Sequence, residues 1–186
     1  MKSPQYGHPV HIEMATGYGP CRICLQTFQV GTDERLLFTY QPFTDPAALP
    51  APGPVFIHRA RCERYDGPEL PGALRPLPLA LEGYGAGGVL FVQRRVGASP
   101  FEAVVEDVFE PAEVQYAHLR NAEAGCFIAR IDRRQGLSQR VAFSALTGSL
   151  GIHEPWRCGR PTAAHSGFPI PRYGSLPPGQ AVGERS

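Results

Sequence analysis

Short apolar runs between glycine and proline punctuation dominate the chain. Residues 10–14, 36–40, 55–58, 77–81 and 89–93 are β-branched or aromatic stretches of strand length, and they predict strands. Ser99-Pro100-Phe101-Glu102 predicts a helix start, with Ser99 and Glu102 spaced as a capping box and proline at the first helical position. Phe101, Val104, Val105 and Val108 then recur at helical spacing, giving one apolar stripe for a sheet while Glu102, Glu106 and Asp107 face water. Pro111 ends the pattern. Residues 114–119 and 126–131 predict a hairpin joined through residues 121–125. Alternation puts His118 on one face with Val114 and Tyr116, and Cys126 on one with Ile128 and Arg130.

Strands joined by hairpin-length connections, with one main helix, predict an α+β fold: a mostly antiparallel sheet with the helix at residues 99–109 packed on a face. Helices are too few for a doubly wound sheet. From about residue 135 the periodicity weakens, and the last 42 residues hold seven Gly and six Pro. Residues 1–134 therefore read as the single α+β domain, and 135–186 as an irregular, poorly ordered Pro/Gly-rich tail dispensable for folding; the alternative is partial order, with Trp156, Phe168 and Tyr173 docked on the body.

Composition agrees and narrows the classes. In 186 residues, 42% hydrophobic and 19% charged, a core can be buried, whereas 21 Gly and 20 Pro exclude a helix bundle. The net charge of +1 supplies no whole-molecule field for nucleic acid or anionic membrane, so neither is expected as a partner. Residues 1–134 carry 13 Lys+Arg against 15 Asp+Glu, and the remainder 5 against 2. Uncharged stretches such as residues 83–93 and 141–152 are shorter than the roughly 18–20 apolar residues a membrane span needs. The first residues lack the apolar core of a signal peptide, and five cysteines are an odd number; both point to reduced thiols in the cytoplasm.

Cys21-Arg-Ile-Cys24 and His58-Arg-Ala-Arg-Cys62 form the clearest constellation. Two thiolates separated by two residues chelate one ion from a tight turn, and a strand-end histidine with a cysteine four residues on completes a Cys3His set for zinc. A redox C-x-x-C would want a strand-to-helix setting, and small buried thiols packed as apolar groups are the structural alternative. A second constellation, His118, Arg120, Asn121 and Cys126, puts an imidazole, a guanidinium, an amide and a thiol on one hairpin. There Cys126 would be a nucleophile or redox thiol, His118 its base, Arg120 the clamp for a small anionic substrate and Asn121 an orienting group. As ordinary residues, His118 and Cys126 belong to the sheet, and Asn121 and Gly125 make the turn.

Residues 83–88 satisfy G-x-G-x-x-G literally, but a strand follows where a dinucleotide site needs a helix, so no nucleotide cofactor is expected. Arg59, Arg61 and Arg64 are interleaved with Glu63 and Asp66 and read as a solvated face; Arg94-Arg95 and Arg133-Arg134 offer further anion contacts. The binding-module reading gives a zinc-stabilised domain presenting a surface to a small molecule or protein; the enzyme reading is a cysteine-dependent one.

An ordered succession of blocks carries a resemblance: Cys21-Arg-x-Cys24-Leu25, Glu34-x-Leu36-Leu37, Tyr40-x-Pro42-Phe43, Gly53-Pro54-x-Phe56-x-His58-x-x-x-Cys62, and His118-x-Arg120-Asn121-x-x-x-Gly125-Cys126-Phe127. Over roughly residues 5–134 the chain resembles the bacterial domain of unknown function 1203. The resemblance implies a single domain and singles out these blocks; it carries no activity, substrate or cofactor. Residues 83–88 are richer in glycine than that family pattern leads one to expect.

Overall fold

The computed structural model describes residues 1–17, 19–43, 51–133 and 142–144. Two antiparallel sheets organise them. Strands β1 (His11–Met14), β2 (Glu34–Tyr40) and β3 (Gly53–His58) lie in the order β1-β2-β3. The second sheet runs β5-β4-β6-β7-β8, with β4 at Leu79–Tyr84, β5 at Leu90–Val96, β6 at Tyr116–Asn121, β7 at Phe127–Asp132 and β8 at Ala142–Ser144. One helix, α1 (Phe101–Val108), connects β5 to β6. The fold is α+β and mostly antiparallel sheet, and no helix among the described residues is long and apolar enough to cross a membrane.

The apolar stripe of α1 is buried as its spacing requires: Phe101, Val104, Val105 and Val108 join Leu79, Leu81, Ala117, Leu119, Ile128, Ala129 and Ile131 in one core. Its start differs from the sequence expectation. Pro100 itself is the N-cap and no side chain caps the helix. The amides of Ala103 and Val104 go to the Pro100 carbonyl at 3.1 and 3.3 Å. Ser99 thus falls outside the helix, and Glu102 pairs with Arg75 at 3.1 Å instead of reaching back. At the other end Arg133 donates to the carbonyls of Phe109, Pro111 and Val114, so its guanidinium serves carbonyls beyond the helix. Arg94 pairs with Asp107. Both arginines thus have partners within the domain; Arg134 lies outside the described residues.

The glycine-rich segment is a hairpin connection with a packing role. Gly83 is inside β4, where an added Cβ would lie 2.7 Å from Val92 Cγ1 and 3.1 Å from both Val108 Cγ1 and Val114 Cγ1, so only glycine lets the helix close on the sheet there. Gly87 and Gly88 take φ of 67° and 75° in the turn itself.

Two face assignments fail for identifiable reasons. Val114 precedes β6, in a turn whose amide bonds to the Pro111 carbonyl, and packs on the helix side opposite His118. Between Leu119↔Ala129 and Arg120↔Phe127 the β6–β7 register shifts, leaving Ile128 as an extra residue. This bulge keeps Ile128 in the helix-side core, turns Phe127 toward His118, and leaves Cys126 in the connection rather than the strand.

Part of the segment beyond residue 134 belongs to the sheet. Strand β8 pairs antiparallel with β7, and Phe143, 2% exposed, stacks on Phe101 with centroids 6.0 Å apart. Cys158, Trp156, Phe168 and Tyr173 lie outside the described residues.

Candidate metal centre

Cys21 and Cys24 sit on a tight turn between Pro20 and Thr27, which pair as an isolated bridge. The turn closes by Leu25 N to Cys21 O and Cys21 N to Gln26 O, both 2.9 Å. Closure requires Leu25 to adopt φ 57°, a left-handed conformation rare for a non-glycine residue, and its fully buried side chain, packed in the main core, holds it there. Strand β3 docks on the turn through Arg22 N to Phe56 O at 3.0 Å, which brings the strand-end His58 alongside. The loop after β3 returns through Tyr65 N to Ile23 O at 2.9 Å and carries Cys62.

As a result the four residues picked out by spacing converge. The sulfurs of Cys21, Cys24 and Cys62 and a ring nitrogen of His58 all lie within 4.8 Å of one another. Cys21 Sγ is 3.8 Å from Cys62 Sγ, and Cys24 Sγ is 3.4 Å from His58 Nδ1. The four described cysteines are free thiols.

Electrostatics favours anionic sulfur here. Hydrogen bonds from the Cys24 thiol, then from Cys62, hold the Cys21 thiol far below its ordinary value, and backbone amides reinforce them. The amides of Ile23 and His58 point at Cys21 Sγ at 3.4 and 3.3 Å. The same contact with Cys21 pushes Cys62 and Cys24 up, so Cys21 is the first of the three to lose its proton.

The second constellation is arranged differently. His118 is fully buried in an aromatic cage, its ring centroid 4.8 Å from Phe43, 4.9 Å from Tyr84, 5.3 Å from Tyr116 and 5.1 Å from Phe127. Burial lowers its pKa to about 3, with Arg120 and Arg130 adding to the effect, so the imidazole is neutral. Neither ring nitrogen has a hydrogen-bond partner among the described residues, whereas Cys126 Sγ donates to the Ala124 carbonyl at 3.7 Å. The imidazole–thiol hydrogen bond that the enzyme reading requires is not formed. Arg120 donates to Glu82 Oε2 at 2.5 Å and to the Gly125 carbonyl at 2.9 Å, and Tyr84 donates to the same carboxylate oxygen at 2.5 Å. Asn121 Oδ1 accepts from the amides of Glu123 and Ala124 at 2.9 and 2.7 Å, while Gly125 takes φ 68°; both make the turn.

Three residues at these sites escaped sequence reading. Glu82 interrupts an apolar run inside β4, and an acid at such a position is the signal that marks it as a buried partner. Arg22, between the two knuckle cysteines, is buried and donates to the Phe127 carbonyl at 2.6 Å. Asp33 Oδ2 lies 3.4 Å from His58 Nε2, a contact that no local spacing announces.

No curated protein and no solved structure matches the chain. A family model does, over residues 18–133, more than half of the sequence, and the match takes in Cys21, Cys24, His58 and Cys62 as well as His118, Arg120, Asn121 and Cys126. The chain belongs to the family described as protein of unknown function, DUF1203.

Proposed function

We propose that the chain is a binding module whose fold is closed by one zinc ion on Cys21, Cys24, His58 and Cys62. The observation that carries this reading is the shape of the donor set. Zinc–sulfur bonds of about 2.3 Å and zinc–nitrogen bonds of about 2.0–2.1 Å at tetrahedral angles separate two sulfurs by about 3.8 Å and a sulfur from a nitrogen by about 3.5 Å. The Cys21–Cys62 and Cys24–His58 separations are 3.8 and 3.4 Å. Soft thiolates with one imidazole select zinc over hard cations. Four protein donors leave no coordination position for substrate, so the ion supplies a cross-link between the knuckle, the end of β3 and the following loop. That cross-link leaves the surface of the domain to meet a small molecule or protein, in a compartment that keeps thiols reduced.

Because binding energy at such a site is folding energy, a strong chelator should lower the melting temperature of the full chain and added zinc should restore it. The Cys62→Ser variant should melt lower from the outset and respond to neither treatment. A wild-type melting temperature unmoved by chelator would contradict the proposal.

A further inference from the structure

The two ring nitrogens of His58 have different neighbours. Nδ1 faces the sulfur cluster, 3.4 Å from Cys24 Sγ, and Nε2 faces Asp33 Oδ2, also at 3.4 Å. Asp33 is itself fixed from several sides. Its Oδ2 accepts from the Gln29 amide at 2.8 Å, its own amide donates to the Gln29 carbonyl at 3.0 Å, and its carbonyl accepts from the Ala15 amide at 2.8 Å. Gly31, at φ 74°, lets the connecting turn close, and the Phe28 ring packs edge-on against the imidazole with centroids 4.6 Å apart. The carboxylate and the aromatic ring thus flank the imidazole on two sides.

We propose that Asp33 is the positioning residue of this centre: its carboxylate, 3.4 Å from Nε2, accepts from the Nε2–H of His58 when the metal is bound, and so fixes the tautomer whose Nδ1 lone pair points at the three sulfurs. The proposal rests on the zinc reading above. A neutral imidazole ligates through the nitrogen that carries no proton, and the partner of the other nitrogen decides which that is. Asp33 lies outside the four-ligand group, so it acts through His58 rather than on the metal.

Zinc affinity of the full-length chain, measured by chelator competition, tests this together with nitrogen-15 NMR of the imidazole. The wild type should show metal on Nδ1 and a proton on Nε2. Asp33→Ala should bind zinc about 10–100-fold more weakly, the range typical for loss of such a partner. Asp33→Asn keeps an oxygen for the Gln29 amide and so keeps the turn; it should fall between the two, and it decides the matter if the alanine variant does not fold. Wild-type affinity in every Asp33 variant that folds, or metal on Nε2, would overturn the role of Asp33 while leaving the zinc centre standing. A wild-type chain that takes up no zinc would overturn the centre itself, and the role of Asp33 with it.

Discussion

Arg22, between two candidate metal ligands in sequence, donates from Nε to the carbonyl of Phe127 at 2.6 Å, joining the knuckle to the start of β7 across 105 residues. A second nitrogen donates to the Pro20 carbonyl. Burial lowers the guanidinium pKa to about 10, with the Cys126 and Cys21 thiols working in the opposite direction, so it stays charged at neutral pH. Arg22→Ala leaves both carbonyls unpaired in the interior and should cost about 3 kcal/mol in denaturant unfolding. Arg22→Lys should recover only part, since a single ammonium replaces a planar fork. An alanine variant as stable as wild type would show that the knuckle's attachment to β7 does not depend on this link.

His118 should make stability pH-dependent in the acid range. Its folded pKa of about 3 lies below the ordinary value near 6.5, so between those values the unfolded chain binds more protons and stability falls as the pH falls. The contribution is complete above about pH 6.5 and is lost progressively toward pH 3, where it amounts to on the order of 4 kcal/mol. Urea unfolding of wild type and His118→Phe at pH 7, 5 and 4 isolates it, because acid release of metal affects both alike. The gap between them should move in favour of the phenylalanine variant as the pH drops. A constant gap would mean that the imidazole charges without cost.

Phe143 closes the far edge of the main core against Phe101 and Tyr65. Phe143→Ala should therefore destabilise the chain by about 3–5 kcal/mol, the usual cost of emptying a buried aromatic site. Thermal and urea unfolding of the full-length variant give the answer. A loss below about 1 kcal/mol would return residues beyond 134 to the dispensable tail that their composition suggests.

The strands, the helix stripe and the two pairs of clustered ligands could be read from the sequence because each follows from local spacing, whereas the meeting of the two pairs depends on β3 docking on the turn. A two-residue separation fixes Cys21 and Cys24 on one turn, and helical spacing of Phe101, Val104, Val105 and Val108 fixes a buried face. The features that escaped depend on register or on distant contacts. The β6–β7 bulge, which separates the faces of Ile128 and Arg130, comes from pairing and has no signature in alternation. Strand β8 is three residues long, below the length at which a pattern emerges. Asp33 reaches His58 across 25 residues because β2 pairs with β3, and Glu82 meets Arg120 across 38 because β4 pairs with β6.

Whether zinc closes this fold is decided by the metal content of the 186-residue chain, purified without chelator and measured by inductively coupled plasma mass spectrometry. The wild-type protein should hold close to one zinc per chain, falling to a small fraction in Cys21→Ser and Cys62→Ser but unchanged in Cys126→Ser, whose thiol lies outside the cluster. Less than half an equivalent of zinc in the wild-type protein, or zinc retained undiminished in the Cys21 and Cys62 variants, would contradict it.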